Sequence, residues 1–394
     1  MKKVLLFIPL LLFANILSDL ERKNFEIQEK NSIEQSDITK KSWINPIILQ
    51  YSVSKNNTLK PNTQITNTFS VTLNQPVFKS GAIYYSIKYA NVLKNFNLNN
   101  IALQRKTLIK NAYSLAIDYK INELNKKIIL LQIKNAKIDI KRKKEEYKNG
   151  TLDINFLNDA LLSLNDLRLS LKDLEYSNQE IIYEFKNISD MNIKNVNTKL
   201  FNIINEKEYL KNNIKLHLSQ KQKKINYDLY KMQVGDTLFS VFINASLNYQ
   251  KTHYTDSSIS FQDSKQNFYN IGVGISFPLD ITAKNKIESA KLNYLKSNLD
   301  ILQTKRELIN NFKKTLKEIK YLNDKIDIYK DNIRIYNSLI ASTKDSIKAG
   351  DATKDDLEIL QNSQKTNYLN IKILKLQIQK LLLNLYYTTT LFGN

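Results

Sequence analysis

Cysteine is absent from the 394 residues of this chain, and histidine, proline and glycine are scarce, with 2, 5 and 7 residues. The absence of cysteine excludes disulfide scaffolds, thiol catalysis, cysteine-ligated zinc and a lipid-anchored amino-terminal cysteine. A histidine-based metal site or catalytic triad has only His217 and His253 to build on. Few turn-forming residues argue against an all-β or loop-rich chain. We therefore expect no catalytic residue, no metal and no cofactor.

Acidic residues are also in deficit, because 38 Asp and Glu oppose 59 Lys and Arg and leave a formal net charge of +21. This balance fits nucleic acid, an anionic membrane surface or acidic cargo as a partner. It fits compositional drift equally well, because the chain is rich in Lys, Asn and Ile. The lysines are spread along the chain and are not clustered with aromatic residues.

Long hydrophobic runs are rare, and the one at the amino terminus is short. Two lysines in Met1–Ser18 precede the apolar run Val4–Ala14, which is the pattern of a secretory signal peptide with cleavage after Ala14 or Ser18. The run falls short of the ~20 residues of a membrane-spanning helix. An uncleaved amino-terminal anchor is the alternative. Export predicts that the protein does not bind nucleic acid.

The remainder of the chain is one unit used twice, at an offset of about 200 residues. This period is too long for a solenoid and indicates duplication of a large half. We divide the chain into a signal peptide (1–18), a first repeat (19–190), a connecting segment (191–211) and a second repeat (212–394). Each repeat is predicted to contain a short helix, two strands and a long helical hairpin. Matched positions include Ile87 and Ile287, Ala90 and Ala290, Gly150 and Gly350, and Leu157 and Leu357.

The strands are indicated by alternation of apolar and polar residues. Their length is close to the ~9–11 residues with which a tilted strand crosses a bilayer, and one apolar and one polar face suits a barrel wall. A soluble sandwich with one buried face is the alternative. Four strands cannot close a barrel, so two or three copies must combine. The predicted strands cover Ile47–Ser54, Phe69–Asn74, Phe239–Tyr249 and Tyr269–Phe277, with polar loops at Lys55–Gln64 and Lys251–Asn267 and strand ends at Pro76 and Pro278.

The predicted long helices contain no internal glycine or proline and would each reach about 100 Å. Apolar residues between Leu308 and Ile326 recur at spacings of three and four, as in a coiled coil. The returning helices can cover about half of their long partners, and the charged helices before the strands can cover much of the rest. The predicted charged helices are Asp19–Lys41 and Asn212–Met232, the long helices Gly81–Tyr147 and Thr282–Ile347, and the returning helices Leu152–Asn187 and Ala352–Tyr387.

The strand-to-helix junctions and the hairpin turns resemble those of the TolC family of outer-membrane efflux proteins. The resemblance covers the chain from about residue 40 to its end. The amino-terminal region departs from the family, because it is shorter and lacks the usual Asn-Pro-containing first helix. The junctions are Ser70–Gly81 with Ile87–Ala90 and Val273–Leu279 with Ile287–Ala290, and the turns are Tyr147–Gly150 and Ile347–Leu357.

The resemblance implies a mainly α fold with a membrane β-barrel part, in which long α-helical hairpins form a periplasmic tunnel. Four strands per chain would contribute to a trimeric twelve-stranded barrel in the outer membrane. The implied function is a passive exit channel, not an enzyme, of a tripartite efflux pump or a type I secretion system. The implied partners are two further copies in a homotrimer, outer-membrane lipid, a periplasmic adaptor (membrane fusion) protein and an inner-membrane transporter. The alternative is a periplasmic coiled-coil adaptor or structural protein without a barrel, which would carry one hairpin rather than two.

The hairpin turns receive specific roles from the resemblance. Gly150 and Gly350 also predict positive backbone angles on their own, as in an ordinary helix C-cap. Three copies of Asp356 would form an acidic ring that biases ion passage, unless Asp356 is only a solvated helix charge. A polar tie at the entrance is in doubt, because Ile347 replaces the usual aromatic residue. The implied adaptor-docking residues are Gly150, Gly350, Thr353 and Leu357, and the implied tunnel-entrance residues are Tyr147, Phe156, Ile347 and Asp356.

The lysine excess gives a separate hypothesis about ion passage. If lysines line the tunnel, the pore prefers anions. If they lie on its outer surface, this preference is not expected.

Overall fold

A computed structural model describes residues 16–57, 63–197, 200–255 and 263–392. Met1–Asn15, most of the predicted signal peptide, lies outside these residues. In chain order the elements are α1 (Asp19–Lys41), β1 (Ile48–Asn56), β2 (Thr63–Phe78), α2 (Ala82–Lys148), α3 (Ile154–Lys186), a 3₁₀ helix (Ile193–Asn195), α4 (Glu206–Lys211), α5 (Ile214–Asp236), β3 (Ser240–Thr255), β4 (Ser264–Ser276), α6 (Ala283–Ala349) and α7 (Lys354–Tyr386).

The two repeats have the same order of helices and strands. Helices α2 and α6 each contain 67 residues, and the returning helices α3 and α7 each contain 33. The predicted ends of these four helices agree with the structure to within one or two residues, because glycines and proline-free polar turns bound otherwise uninterrupted helical sequence. The mainly α, internally duplicated fold class is therefore confirmed. Two hairpins are present, whereas the adaptor alternative requires one.

The four strands form one antiparallel sheet in the order β1-β2-β3-β4. Its register aligns Leu49, Val71, Leu247 and Tyr269 in one row across the sheet. The next row contains Gln50, Ser70, Asn248 and Phe268. Successive rows point to opposite faces, so the predicted division into an apolar and a more polar face is present.

The strands are longer than the sequence pattern predicted. Strand β1 continues to Asn56 and β3 to Thr255, so the predicted loops are wrong at their ends. The strand end predicted at Pro76 is also wrong, since β2 runs to Phe78 with a register shift between Pro76 and Phe78. A bulge accommodates the missing proline donor without ending the ladder.

Contacts between residues divide the described part of the chain into two compact units, formed from the ranges 1–26, 101–215 and 305–394 (unit 1) and 27–100 and 216–304 (unit 2). In unit 1, α3 contacts α2 where Asn178 donates to Glu123 at 2.8 Å. Helix α2 contacts α7 through Asp118 and Lys380, 2.6 Å apart. Helix α7 packs on α6 with Leu374 against Leu322 and Ile326. Within unit 1 the helices therefore follow the order α3-α2-α7-α6.

The predicted coiled-coil positions of α6 are the ones that the structure buries. Leu308, Phe312 and Ile319 are buried, as are Leu322 and Ile326. Phe312 also stacks on Tyr209 of α4, with ring centroids 5.1 Å apart. The seam at spacings of three and four is confirmed.

Unit 2 contains the sheet and the helical segments on either side of it. Ser36 of α1 donates to the Ala90 carbonyl of α2 at 3.0 Å. Asn226 of α5 donates to Ser297 of α6 at 2.6 Å. No helix within the described ranges is both long enough and apolar enough to cross a membrane.

Candidate functional site

Both hairpin turns are built by the same backbone motif. Gly150 has φ +73° and Gly350 has φ +91°, so the predicted positive backbone angles are confirmed. At the first turn the Gly150 N–H donates to the Tyr147 carbonyl and the Thr151 N–H to the Glu146 carbonyl. At the second turn Gly350 and Asp351 donate to the carbonyls of Ile347 and Ser346 in the same pattern. This is a Schellman C-cap, in which glycine takes the left-handed position without a steric cost.

The returning helices begin with side-chain caps. Thr353 caps α7, because its hydroxyl accepts from the Asp356 N–H at 3.1 Å while the Thr353 N–H donates to the Asp356 carboxylate at 3.0 Å. Asp153 caps α3 by accepting from the Asn155 N–H at 2.8 Å. These reciprocal bonds satisfy amides that the first helical turn leaves without partners.

Asp356 is paired with a base that the sequence reasoning did not single out. The Arg142 guanidinium of α2 lies 2.5 Å from the Asp356 carboxylate, and Lys141 lies 3.4 Å from Asp355. The hydrogen bonds from Thr353 and the Arg142 guanidinium hold the pKa of Asp356 below its ordinary value. The signal was present in the sequence, because the basic run at 141–144 in one repeat stands near the tip opposite two aspartates in the other.

The remaining predicted tip residues are not joined to this cluster. Tyr147 and Phe156 are exposed, whereas Ile347 and Leu357 are half-buried. Among the described residues, no ring contact or side-chain hydrogen bond joins Tyr147 or Phe156 to another tip residue. The structure thus brings Thr353 and Asp356 together with Arg142, while Gly150 and Gly350 form separate turns.

The two outer strands of the sheet are unpaired edges within one chain. Every described residue of β1 is exposed, and β4 presents an exposed apolar row in which Ile271 has 73% of its surface accessible. An exposed, apolar and unpaired strand pair is a template for pairing with another chain. The exposed apolar row of β4 and its extension contains Tyr269, Ile271, Val273, Ile275 and Phe277.

The outer helices of unit 1 also carry exposed apolar rows. On α3 the row repeats at every seventh residue, and Leu169 within it is 63% exposed. On α6 a row with the same period includes Ile328, which is 61% exposed. Such heptad rows are typical of coiled-coil seams whose partner helix is supplied from elsewhere. The α3 row contains Leu162, Leu169, Tyr176 and Tyr183, and the α6 row contains Tyr321, Ile328 and Ile335.

Comparison with known proteins supports the resemblance found in the sequence. Residues 230–389 match the family model OEP, outer membrane efflux protein. A search of curated proteins finds no significant match. Among solved structures, the chain is similar to the Campylobacter jejuni CmeC outer membrane channel, with TM-score 0.74, 14% identity, and coverage of 94% of this chain and 83% of that chain.

Two further solved structures give the same result. The outer membrane protein VceC of Vibrio cholerae has TM-score 0.72 and 12% identity, with coverage of 93% of this chain and 92% of that one. The open state of the Neisseria gonorrhoeae MtrE outer membrane channel has TM-score 0.68 and 12% identity, with coverage of 96% and 87%. The chain has the fold of these channels over nearly its whole length.

Proposed function

We propose that this chain, which carries an outer membrane efflux protein domain in its second half and the fold of the solved outer membrane channels, is a passive trimeric exit channel. Its location would be the outer membrane, with the helical hairpins in the periplasm. It would serve a tripartite efflux pump, with type I secretion as the second use of the same duct. A partner transporter in the inner membrane would supply the energy.

The unpaired edges of the sheet are the observation that carries this proposal. Lipid contains no water to satisfy the free N–H and C=O groups of β1 and β4, so open edges are not stable there. Pairing β4 of one copy with β1 of the next satisfies both edges. Three copies supply twelve strands, which lies within the range of transmembrane barrels. The apolar row of β4 then faces lipid.

The helical edges support assembly with the same symmetry. Helices α3 and α6 lie at opposite ends of the helix order in unit 1, and each carries an exposed heptad row. Packing the Leu169 row of one copy against the Ile328 row of the next buries both. A cyclic trimer uses each edge once and leaves neither exposed.

The hairpin tips are the proposed docking surface for a periplasmic adaptor. The two Schellman turns end the hairpins in similar loops, and Gly150, Gly350, Thr353 and Leu357 lie within or next to them. Tyr147 and Phe156 add exposed aromatic surface of the kind that is enriched at protein interfaces. Asp356 and Ile347 are proposed to lie at the tunnel entrance.

The channel proposal is tested by disrupting the helical edge and measuring both assembly and conductance. We expect Leu169→Glu to weaken the detergent-extracted trimer, because it buries a charge in the α3 seam. The neighbouring exposed residue supplies the matched control, Ser170→Glu, which should leave the trimer intact. Wild-type protein should give discrete channels in planar bilayers. A water-soluble monomer without conductance would overturn the proposal.

A further inference from the structure

A groove runs between α2 and α7 in unit 1, away from the hairpin tips. Two adjoining cavities of about 640 and 500 Å³ form it, and Lys127 and Lys372 line both. On α2 the lining residues extend from Lys120 to Lys137. At 1.5 Å per residue this is about 25 Å, or roughly five helical turns. The groove therefore has the length of a helix rather than of a small ligand.

The floor of the groove is apolar and repeats every seven residues. Leu124 and Leu131 on α2 and Leu369 and Leu376 on α7 have this spacing and are only half-buried. Two parallel rows of leucine on neighbouring helices form the holes that receive the knobs of a third helix. The floor thus has the pattern of a coiled coil from which one helix is missing.

The rim of the groove is basic with the same period. Lys127 and Lys134 flank the floor on α2, and Lys365 and Lys372 flank it on α7; all four are exposed. Among the described residues, none of the four has a carboxylate within 4.0 Å. Glu123 is the carboxylate among the described lining residues, and it already accepts from Asn178. The positive charge on the rim is therefore not neutralised within unit 1.

Lysines beside apolar surface can also be explained as solvated stems that cover leucine. That explanation requires no common period. Here lysine and leucine rows share the heptad, which is the pattern of flanking charges that select a partner helix in coiled coils. The occupant that fits is an amphipathic helix with leucine in its seam and glutamate or aspartate on both flanks.

A second copy of this chain offers one acidic helix, α3. Its row of exposed acidic residues follows the same period as its apolar row, and both rows lie on the edge that the proposed trimer uses. We therefore propose that the groove binds an acidic amphipathic helix from a different protein. The α3 acidic row contains Asp159, Asp166, Asp173 and Glu180.

The test uses a synthetic helical peptide of about 20 residues with leucine at the seam positions and glutamate on both flanks. The control peptide has lysine in place of glutamate. Binding to the full-length, detergent-extracted protein is measured by fluorescence anisotropy at low and high salt. We expect the acidic peptide to bind, the basic peptide not to bind, and the affinity to fall as salt rises.

The double variant Lys134→Glu, Lys365→Glu should weaken acidic-peptide binding at least about tenfold, because two attractions become repulsions. Lys344→Glu, an exposed lysine of α6 outside the groove, is the matched control and should leave binding unchanged. Equal binding of the two peptides, or no effect of the double variant, would overturn the inference. So would a change in oligomer size caused by the double variant, since a second copy would then be the occupant.

This inference goes beyond the proposed channel, and its failure can be distinguished. Channels without peptide binding would reject the groove alone. Peptide binding without channels would reject the proposed function and leave the groove intact.

Discussion

The guanidinium of Arg142 lies 2.5 Å from the carboxylate of Asp356 and joins the end of α2 to the first turn of α7. Both side chains are substantially exposed, so the pair should contribute only about 0–1 kcal/mol to stability. Its consequence is electrostatic, because every aspartate of a proposed entrance ring is accompanied by an arginine. In the channel, Asp356→Asn should shift the reversal potential in a salt gradient towards anion preference, and Arg142→Ala should shift it towards cations.

The control for this pair is Glu358→Gln, an exposed acidic residue on the same helix. It should move the reversal potential less than Asp356→Asn does. Shifts of the same sign in the two pair variants would show that the pair does not face the ion path.

The tip glycines should be sensitive to backbone strain but not to side-chain volume. A Cβ at Gly150 or Gly350 would meet no heavy atom within 4 Å, yet both residues have positive φ. We expect Gly350→Ala to lower the free energy of unfolding by about 1–2 kcal/mol, which is the cost of the left-handed region. Gly350→Asn should cost less, because asparagine tolerates this conformation. Denaturant melts measure both, and equal losses would contradict the strain explanation.

Gly274 should be limited by volume. It lies opposite Phe242 in the sheet, and a Cβ there would stand 2.3 Å from the Phe242 ring. We expect Gly274→Ala to cost about 1–3 kcal/mol through overpacking, and Phe242→Ala in the same chain to relieve much of this loss. Gly272→Ala is the matched control, because nothing lies within 4 Å of its Cβ. Thermal dissociation of the trimer provides the measurement.

Lys106 should make stability depend on pH in the alkaline range. Its ammonium donates to the carbonyls of Thr389 and Phe392 at 2.9 and 2.6 Å, and burial lowers its pKa from 10.5 to about 8. Between these two values the unfolded chain binds more protons than the folded chain, so stability rises with pH. Relative to Lys106→Met, the wild type should therefore gain stability from pH 8 to about 10.5 in thermal melts. A constant difference between the two would contradict the assigned pKa.

The amino-terminal residues indicate where the exported chain begins. Ile16 and Leu17 are 4% and 2% exposed within the core of unit 1, and the Ser18 N–H donates to the Ile188 carbonyl at 2.9 Å. Cleavage after Ser18 would remove two buried side chains and this bond. We therefore predict that the mature chain retains Ile16 and Leu17, which favours cleavage after Ala14. Intact mass spectrometry of the exported protein tests this, and a chain that begins at Asp19 would contradict it.

The local periodicities of the sequence were sufficient for most of the fold. Helices α2 and α6 contain no glycine or proline that could end them, and the turns at Gly150 and Gly350 require a residue that accepts positive φ. The strand ends were less predictable. A run such as Lys251–Thr255 is polar enough for a loop, but its partners in β2 and β4 continue the ladder.

The sequence by itself determined the duplication, the helix ends, the alternating strands and the hairpin turns, because each depends on residues that are close together in the chain. Only the tertiary structure decided that Arg142 neutralises Asp356, 214 residues away, and that α2 and α7 place their leucine and lysine rows around one groove. It also decided which heptad rows are buried and which remain exposed on α3 and α6. Heptad spacing shows that a helix has a seam, but the partner of that seam depends on how distant segments pack.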